Sequence, residues 1–516
     1  MITNLNFDDE YDNIIKLIDA SSFVSFDCEM SGINDSREEF RHRKDDNADE
    51  RYFKMRQVAN KYSLIQVGLC MFIKDQDNKL KAHPYVFYLF PQNSQEDIVL
   101  SVSSIDFLKK NNMNFDTWIT NGIPFVTSNG EEYWTDKLGL REKQKEEIDG
   151  NMIILTEQKD KDFVERNLSN LKKVLEDPSQ TQFTFEFCNA YIRRYLYQYM
   201  EANHPDITVQ KTSDNKLQVL KLSSEEIETM KRKQLHKALG FRSIFKCLKN
   251  KILVGHNCMY DLLFMMRYLE NPLAEDFTSF KVSFNNMFPY VFDTKYISST
   301  GLLGTVYSDT VLGDLYTQIL NKNKDTGKNL IVELGDKFNN YNDKNAQLHD
   351  AGYDAFITGS IFLGLLNDNN DDSYNIENLM EIAKEKCGNI IFSMFSLYYF
   401  DFNQSRPNGL CTKSSNTYYL GGFTSKVLTN DLHALFTPST CTISELIWIN
   451  DKSTFVTLKK AISDELIDIT IVKESIELPE GWSLLSLEQF EESKKEKSKV
   501  IVNDNIDESP LKKQKV

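Results

Sequence analysis

An apolar segment that carries two acids two positions apart constrains this chain most. Residues 23–33 have the sequence Phe-Val-Ser-Phe-Asp-Cys-Glu-Met-Ser-Gly-Ile, which is typical of a buried strand. Side chains alternate between the two faces of a strand, so Asp27 and Glu29 project from the same face. Two buried acids side by side repel each other, and a hard divalent cation such as Mg2+ or Mn2+ relieves that repulsion. A half-exposed strand with two solvated acids is the alternative.

The length and composition indicate a folded chain of several domains. At 516 residues it is too long for one ordinary core, and its 41% hydrophobic and 12% aromatic residues suffice for more than one. The eight cysteines form no Cys-x-x-Cys pair, which argues against structural zinc and a disulfide scaffold and favours a reducing compartment. The sequence shows no signal-peptide pattern and no apolar run of the ~18 residues needed to span a bilayer, so no membrane partner is expected.

The net charge of −16 is a weak argument against nucleic-acid binding, because acids are also needed at a metal site. Cations are concentrated in three segments, Arg37–Lys44, Arg51–Arg56 and Lys231–Lys251. Such clusters are either solvated helix faces or, if they border the acidic site, groups that bind phosphates.

Three strand-like segments followed by helices predict a mixed α/β core. The composition then changes, and residues 165–238 are predicted to form an inserted small α/β domain whose basic and aromatic content suits single-stranded nucleic acid. A purely structural insertion is the alternative. The core itself is predicted to lie in two parts, residues 1–164 and 239–405.

Two later segments place further acids near helix starts. Asn257 follows a short strand-like segment and is predicted to be a helix N-cap, with Asp261 one turn into the helix. His349 and Asp354 are five positions apart across a glycine, where another helix is predicted to begin. A favourable interaction of Asp261 with the helix dipole and a structural role for His349 are the alternatives.

Taken together, Asp27-x-Glu29, Asp261 after Gly-His-Asn, and His349-x4-Asp354 resemble the DEDD exonucleases of the His-containing subclass. The local amino-acid sequence resembles that of the poly(A)-specific ribonuclease family over roughly residues 20–135 and 235–365. The Cys at position 28, where that family usually has a small residue, is a minor departure. The segments that carry the resemblance are Phe26–Ile33, Ser104–Leu108, Asn121–Pro124, Phe292–Lys295 and His349–Asp354.

This resemblance implies an RNase H-like DEDD exonuclease core, a mixed sheet flanked by helices, that releases 5′-AMP from the 3′ end of poly(A) RNA. The four acids would hold two Mg2+ ions, with Mn2+ as a possible substitute, and His349 would deprotonate the attacking water. The resemblance also implies a homodimer. For Ile33 and Phe107, the alternative to substrate binding is a position in the hydrophobic core. The residues implied for substrate binding are Ile33, Asn257, Lys295, Ser104, Ile105 and Phe107, the last three on a helix that would complete a substrate pocket or a dimer contact.

Residues 406–493 alternate between strand-like and helix-like segments and are predicted to form an RNA-recognition-motif-like domain. By the same resemblance, Trp448 matches a tryptophan that stacks on the 5′ 7-methylguanosine cap, and a core anchor is its alternative. The highly charged residues 494–516 are predicted to be a disordered basic tail. Its two basic clusters resemble a nuclear-import signal, so the expected location is the nucleus and the cytoplasm; a solvated tail is the alternative.

Two other functions stay open at this point. One is a DEDD exonuclease that trims the 3′ ends of small non-coding RNAs. The other is a non-catalytic RNA- or cap-binding protein built on a nuclease fold, although the four acids and the histidine that catalysis needs are all present.

From the sequence we predict that Asp27→Ala, Glu29→Ala, Asp261→Ala or Asp354→Ala abolishes ribonuclease turnover and leaves the fold intact. The reason is that each acid would bind the metal and would not stabilise the hydrophobic core. Cleavage of labelled oligo(A) and circular dichroism check the two halves of this statement. An Asp27→Ala protein that still cleaves RNA would refute the assignment.

Overall fold

The structure is a computed structural model that describes the chain except for 76–79, 93, 95, 141–152, 178, 206, 213, 223, 326–331, 343–348, 369–375, 404–410, 413, 437–440, 461–466 and 497–516. The described residues form two compact units. The first comprises Met1–Phe125 with the described residues from Ile244 onward, and the second comprises Val126–Ser243. Within the described part of the chain, no helix has the length and apolar character needed to cross a membrane.

Strands occur in both units. They are β1 (Phe23–Met30), β2 (Leu64–Lys74), β3 (Leu80–Tyr88), β4 (Gln182–Thr184), β5 (Thr208–Lys211), β6 (Leu217–Leu220), β7 (Ile252–Gly255), β8 (Tyr290–Asp293), β9 (Glu333–Leu334), β10 (Ile390–Ile391), β11 (Phe400–Asp401), β12 (Thr417–Gly421), β13 (Cys441–Asn450), β14 (Ser453–Lys460) and β15 (Ser483–Ser486).

The α-helices flank these strands, and short 3-10 helices lie at Glu38–Phe40 and Asp336–Asn342. The α-helices are α1 (Phe7–Ala20), α2 (Ala48–Lys61), α3 (Val102–Lys110), α4 (Phe115–Asn121), α5 (Ser128–Lys137), α6 (Gln158–Glu176), α7 (Ala190–Asn203), α8 (Ser224–Leu239), α9 (Phe241–Cys247), α10 (Met259–Leu269), α11 (Phe277–Asn285), α12 (Thr294–Thr300), α13 (Leu312–Asp325), α14 (Ala351–Leu366), α15 (Ile376–Cys387), α16 (Thr429–Phe436) and α17 (Ile469–Ser475). A terminal helix covers residues 487–496.

The first unit is built on a six-stranded sheet in the order β8-β7-β1-β2-β3-β9. Strand β2 pairs antiparallel with β1 and with β3, whereas the pairs β1–β7, β7–β8 and β3–β9 are parallel. This is the mixed sheet that the sequence predicts. Helix α14 lies against β1 and β2 and is buried along its whole length, which explains why it is apolar on every side.

The close approach of α14 to the sheet depends on a glycine. Gly68 on β2 pairs with Asp27 on β1. A Cβ at Gly68 would lie 1.8 Å from the carbonyl oxygen of Ala351 and 2.8 Å from the amide nitrogen of Gly352, both in the first turn of α14. These are backbone atoms that cannot rotate away, so the missing side chain at position 68 allows α14 to begin directly over the strand pair.

The second unit has its own core and a three-stranded antiparallel sheet in the order β4-β6-β5. Its bounds include the predicted insertion, 165–238, and residues on both sides of that range. Helix α5 packs against α8 here, and the Arg242 guanidinium is 2.8 Å from the Glu131 carboxylate. These contacts assign residues after Phe125 to this unit rather than to the larger core.

The C-terminal part of the first unit contains an antiparallel sheet in the order β13-β14-β12-β15, with α16 after its first strand and α17 after its third. One face of this sheet packs against both helices. The opposite face, which includes Phe455, is covered by Leu487 and Phe490 of the terminal helix and by Leu397 and Tyr398. Both faces are therefore largely occupied.

The terminal helix corrects one prediction. Residues 494–496 are helical and not disordered, because polar contacts hold this helix in place. The buried Glu491 carboxylate accepts hydrogen bonds from Tyr398 Oη at 2.9 Å and Asn47 Nδ2 at 2.7 Å, and Lys494 Nζ lies 2.6 Å from the Glu50 carboxylate. The remainder of the predicted tail, 497–516, lies outside the described residues.

Gly68→Ala is expected to destabilise the protein by about 1–3 kcal/mol or more, because the new methyl group would push the start of α14 off the sheet. Urea unfolding measures the loss. Gly364→Ala is the matched control at the other end of α14, where an added Cβ meets the side chain of Ile319 and no backbone atom. Equal stability of the two variants would contradict this account of Gly68.

Candidate active site

The face of β1 that carries Asp27 and Glu29 is the face that α14 covers. Ser25, two positions before Asp27, donates its hydroxyl hydrogen to the carbonyl oxygen of Ala355 on α14 at 2.6 Å. Because side chains alternate, Asp27 and Glu29 follow Ser25 on that face and extend toward the start of α14, where Asp354 lies. The two-residue spacing in the sequence therefore brings three of the predicted acids to one region.

Helix α10 supplies the fourth acid. Asp261 lies in its first turn and is 8% exposed, and its Oδ1 accepts a hydrogen bond from the amide of Cys28 at 2.9 Å. This bond fixes Asp261 against β1 between Asp27 and Glu29. The predicted N-cap role of Asn257 is wrong: Cys258 precedes the first helical residue, and Asn257 has a left-handed backbone with φ of 55°.

His349 and Asp354 meet at the N-terminus of α14. Asp350 is the N-cap, so His349 lies just outside the helix, with a φ of 71°. The His349 amide donates to Asp354 Oδ2 at 3.2 Å, while Oδ1 of the same carboxylate is buried without a hydrogen-bond partner. The His349 ring makes a T-shaped contact with the ring of Phe107 on α3, with ring centroids 4.8 Å apart. The backbone of His349 is thus held against the Asp354 carboxylate, and its side chain is exposed to solvent.

Burial and mutual repulsion set the protonation of the four acids. Loss of water raises the pKa of Asp27 well above its usual range, and the nearby charges of Asp261, Asp354 and Glu29 raise it further. Burial, followed by the charges of Asp354 and Asp261, raises the pKa of Glu29 well above its usual range. Burial also raises the pKa of Asp261 and that of Asp354 to about 7. For His349, partial loss of water lowers the pKa, so the imidazole is neutral at pH 7 and can accept a proton.

The donor set fits a hard divalent cation. Carboxylate oxygens are the ligands such ions prefer, and the unpaired Oδ1 of Asp354 is a buried acceptor that a cation would satisfy. Within the described ranges, no group of three or more His, Cys, Asp or Glu side chains is gathered closely enough to hold a metal as it stands.

Asp293 is a residue of this region that the sequence analysis did not single out. It is fully buried at the end of β8. Its Oδ1 accepts hydrogen bonds from the amides of Asn257 and Lys295, both at 2.9 Å, and its Oδ2 accepts from the amide of Phe392 at 3.0 Å. One carboxylate therefore positions two of the residues predicted to bind substrate. An acid directly after an apolar strand and before Thr-Lys was the available signal.

The remaining predicted residues fall into different surroundings. Ile33 and Phe107 are 43% and 45% exposed, so neither belongs to the core. Ile105 packs against the cluster around Trp118, and Ser104 is half-buried on the same helix, α3. Trp448 lies on the helix-covered face of the C-terminal sheet, half-buried, with its ring centroid 6.0 Å from that of Phe423.

The basic segment Arg51–Arg56 is predicted to be a solvated helix face or a phosphate-binding group, and two of its cations are neither. Arg51 and Lys54 are 4% and 8% exposed. Lys54 Nζ lies 2.7 Å from the Asp46 carboxylate, and Arg51 donates to the carbonyl oxygens of Arg43, Met394 and Phe395. These two buried cations stabilise the preceding loop, because protein oxygens replace the water that each cation loses on burial.

An acid pair on one strand of a mixed sheet and an acid in the first turn of each of two helices form a buried, carboxylate-rich region. The chain belongs to the CAF1 family of ribonucleases, whose family profile matches residues 2–362.

Individual relatives agree with this membership. The chain is 26% identical over 491 residues to the poly(A)-specific ribonuclease PARN of Xenopus laevis, covering 89% of this chain and 77% of the relative, and 25% identical to PARN of Homo sapiens, covering 89% and 76%. It is 29% identical over 385 residues to the pre-piRNA 3′-exonuclease trimmer of Bombyx mori, covering 70% of each. Among solved structures, the Mg2+- and Mn2+-bound form of Pop2p from S. pombe matches with a TM-score of 0.37 and 16% identity, covering 72% of this chain and 94% of that one.

The raised pKa values of Asp261 and Asp354 predict that the protein in EDTA loses stability as the pH rises from about 4 to above 7. The folded state binds these protons more tightly than the unfolded state, so their stabilising effect is complete at low pH and is lost above the folded pKa. We expect the melting temperature to fall by at least ~3 °C between pH 5 and pH 8 from this cause.

Asp354→Asn should flatten that pH dependence. Asp276→Asn is the matched control, since Asp276 is a helix N-cap whose backbone hydrogen bonds lower its pKa, and asparagine caps as well as aspartate. An unchanged slope in Asp354→Asn would contradict the assigned protonation.

Proposed function

We propose that this protein is a 3′-5′ exoribonuclease that shortens the poly(A) tails of RNA and releases 5′-AMP. The observation that carries the proposal is the meeting of Asp27, Glu29, Asp261 and Asp354 beside a neutral His349. Membership of a ribonuclease family and the names of the PARN relatives support the choice of reaction and substrate.

The four carboxylates are proposed to hold two divalent cations, Mg2+ or alternatively Mn2+, which when bound would lower the pKa of the attacking water and neutralise the departing 3′ oxygen. His349 accepts the proton of that water on an imidazole nitrogen, a role that its lowered pKa supports. Phe107 limits the rotation of the histidine ring by its T-shaped contact. The amide of Cys28 fixes the orientation of Asp261 throughout.

Substrate recognition is proposed to involve Ile33, Asn257, Lys295 and the α3 residues Ser104, Ile105 and Phe107. Exposed Ile33 and Phe107 offer apolar surface for bases, as single-stranded RNA binding requires. The Lys295 ammonium, which donates to the carbonyl oxygen of Thr310 at 3.0 Å, offers positive charge for a phosphate.

The C-terminal module consists of β12 to β15 with α16 and α17. Its strand order and helix placement support an RNA-recognition-motif-like fold, and Trp448 is proposed to stack on the 5′ 7-methylguanosine cap with the part of its ring that Phe423 leaves free. A homodimer and a distribution between nucleus and cytoplasm complete the proposal.

Trimming of small non-coding RNAs is the second candidate. The identity to the Bombyx mori trimmer, 29%, exceeds that to the PARN relatives, although that match covers less of the chain. The two activities differ in whether the enzyme requires adenosine at the 3′ end, so one assay separates them.

The test is a time course with 5′-labelled RNA that ends in oligo(A), oligo(U) or oligo(C), in Mg2+ or EDTA. We expect Mg2+-dependent shortening of the A-tailed RNA that stalls at the first non-A residue. His349→Ala should lower the rate by about 100-fold or more and leave RNA binding unchanged. His433→Ala, at an exposed histidine on α16, is the matched control and should cleave normally.

Each other outcome has a definite meaning. Equal shortening of all three tails would favour the trimmer and remove the poly(A) preference. RNA binding without cleavage in Mg2+ and Mn2+ would leave a non-catalytic binding protein. Capped RNA run in parallel tests the module, because cap stimulation that persists in Trp448→Ala would remove that tryptophan from cap binding.

A further inference from the structure

A loop between β10 and β11 presents an aromatic ring to solvent in a strained conformation. Phe395 lies at its tip and is 79% exposed. Its φ of 51° places a bulky side chain in the left-handed region, which such residues rarely adopt. No other aromatic ring packs on it among the residues that the structure describes. An exposed apolar ring held at a backbone cost calls for an explanation.

The conformation of this loop is imposed by Arg51. Its guanidinium, buried beneath the loop, donates to the carbonyl oxygen of Met394 at 2.6 Å and to that of Phe395 at 3.0 Å. The Asp46 carboxylate is 4.0 Å from the same guanidinium. Two charge-assisted hydrogen bonds to successive carbonyl groups keep the tip from relaxing. The ring of Phe395 is thus presented on a fixed backbone.

The same loop borders the residues proposed to bind substrate. Asn257 Nδ2 lies 3.2 Å from the sulfur of Met394, the residue before Phe395. The ammonium of Lys295 lies 5.6 Å from the ring centre of Phe392, and the amide of Phe392 donates to Asp293, which also holds Asn257 and Lys295. Contacts at two points therefore place the loop beside this pair.

We propose that Phe395 is a stacking platform for a base of single-stranded RNA, in a subsite next to Asn257 and Lys295. This inference rests on the proposed function, since it assumes an RNA substrate. The flat, exposed face of a phenylalanine ring suits any base, because stacking requires only the π-face. The subsite therefore adds affinity for the strand and does not distinguish adenine from other bases.

The experiment measures binding of fluorescently labelled oligo(A) and oligo(U) to the full-length protein in EDTA, by anisotropy. Phe395→Ala should raise the Kd for both RNAs by about tenfold, and Phe395→Trp should restore it. Phe395→Leu keeps an apolar side chain without a π-face and should behave like the alanine variant. Ile382→Ala is the matched control, at a 44% exposed residue on α15, and should bind like the unaltered protein.

A second readout locates the base. RNA with 2-aminopurine at successive positions should show quenched fluorescence at one position, and that quenching should be lost in Phe395→Ala and kept in Phe395→Trp. An unchanged Kd in Phe395→Ala would overturn the proposal. Equal weakening in Phe395→Ala and Phe395→Trp would also overturn it, since the residue would then act through loop packing.

The binding measurement needs no turnover, so the two proposals fail separately. A protein that binds RNA through Phe395 but does not shorten poly(A) would retain the stacking subsite and lose the proposed function. A protein that shortens poly(A) with an unaltered KM in Phe395→Ala would retain the function and lose the subsite.

Discussion

Four carboxylates share one buried corner of the larger unit, and the surrounding fold has to hold them there against their own repulsion. Asp27 and Glu29 are fixed by the pairing of β1 with strands on both sides. Asp261 is held by the amide of Cys28 and Asp354 by the amide of His349. Each backbone donor compensates part of the desolvation of one acid, and a cation would compensate the rest. The fold is therefore arranged to keep a site whose charge it does not itself neutralise.

Buried polar residues outside this corner determine its shape. Asp293 connects the end of β8 with the turn before α10 and with the loop after β10. Arg51 connects the start of α2 with the tip of that loop. A buried charge with several hydrogen-bond partners is costly to displace, so such residues fix the relative positions of loops that strands and helices alone would leave adjustable.

The terminal helix extends the same principle to the C-terminal module. Glu491 and Lys494 contact Asn47 and Glu50 at the start of α2, and Arg51 directly follows Glu50 on that helix. The C-terminal sheet is thus joined through α2 to the loop that carries Phe395. Its second face is covered by the terminal helix and by Leu397 and Tyr398, so that face is a packing surface.

Local patterns were sufficient for much of the fold. The alternation in residues 23–33 placed Asp27 and Glu29 on one face, and the apolar segments around them predicted the mixed α/β core, because burial requires strands and helices with these periods. The sequence misled where a local preference lost to tertiary contacts. Asn257 favours helix caps but lies in a left-handed turn held by Asp293, and Lys494 belongs to a charged segment that is nevertheless helical.

By itself, then, the sequence determined the types of chemical group in this protein and their local geometry: an acid pair on a strand, acids near helix starts, and a histidine before a helix. Only the tertiary structure decided which groups share an environment, because burial and repulsion depend on distances between segments far apart in the chain. Arg51 and Lys54 are candidate phosphate ligands by sequence, but in the folded chain they bind internal carbonyl and carboxylate oxygens. Phe107 contacts His349, which is far from it in sequence. Periodicity is encoded locally, whereas desolvation is a property of the assembled fold.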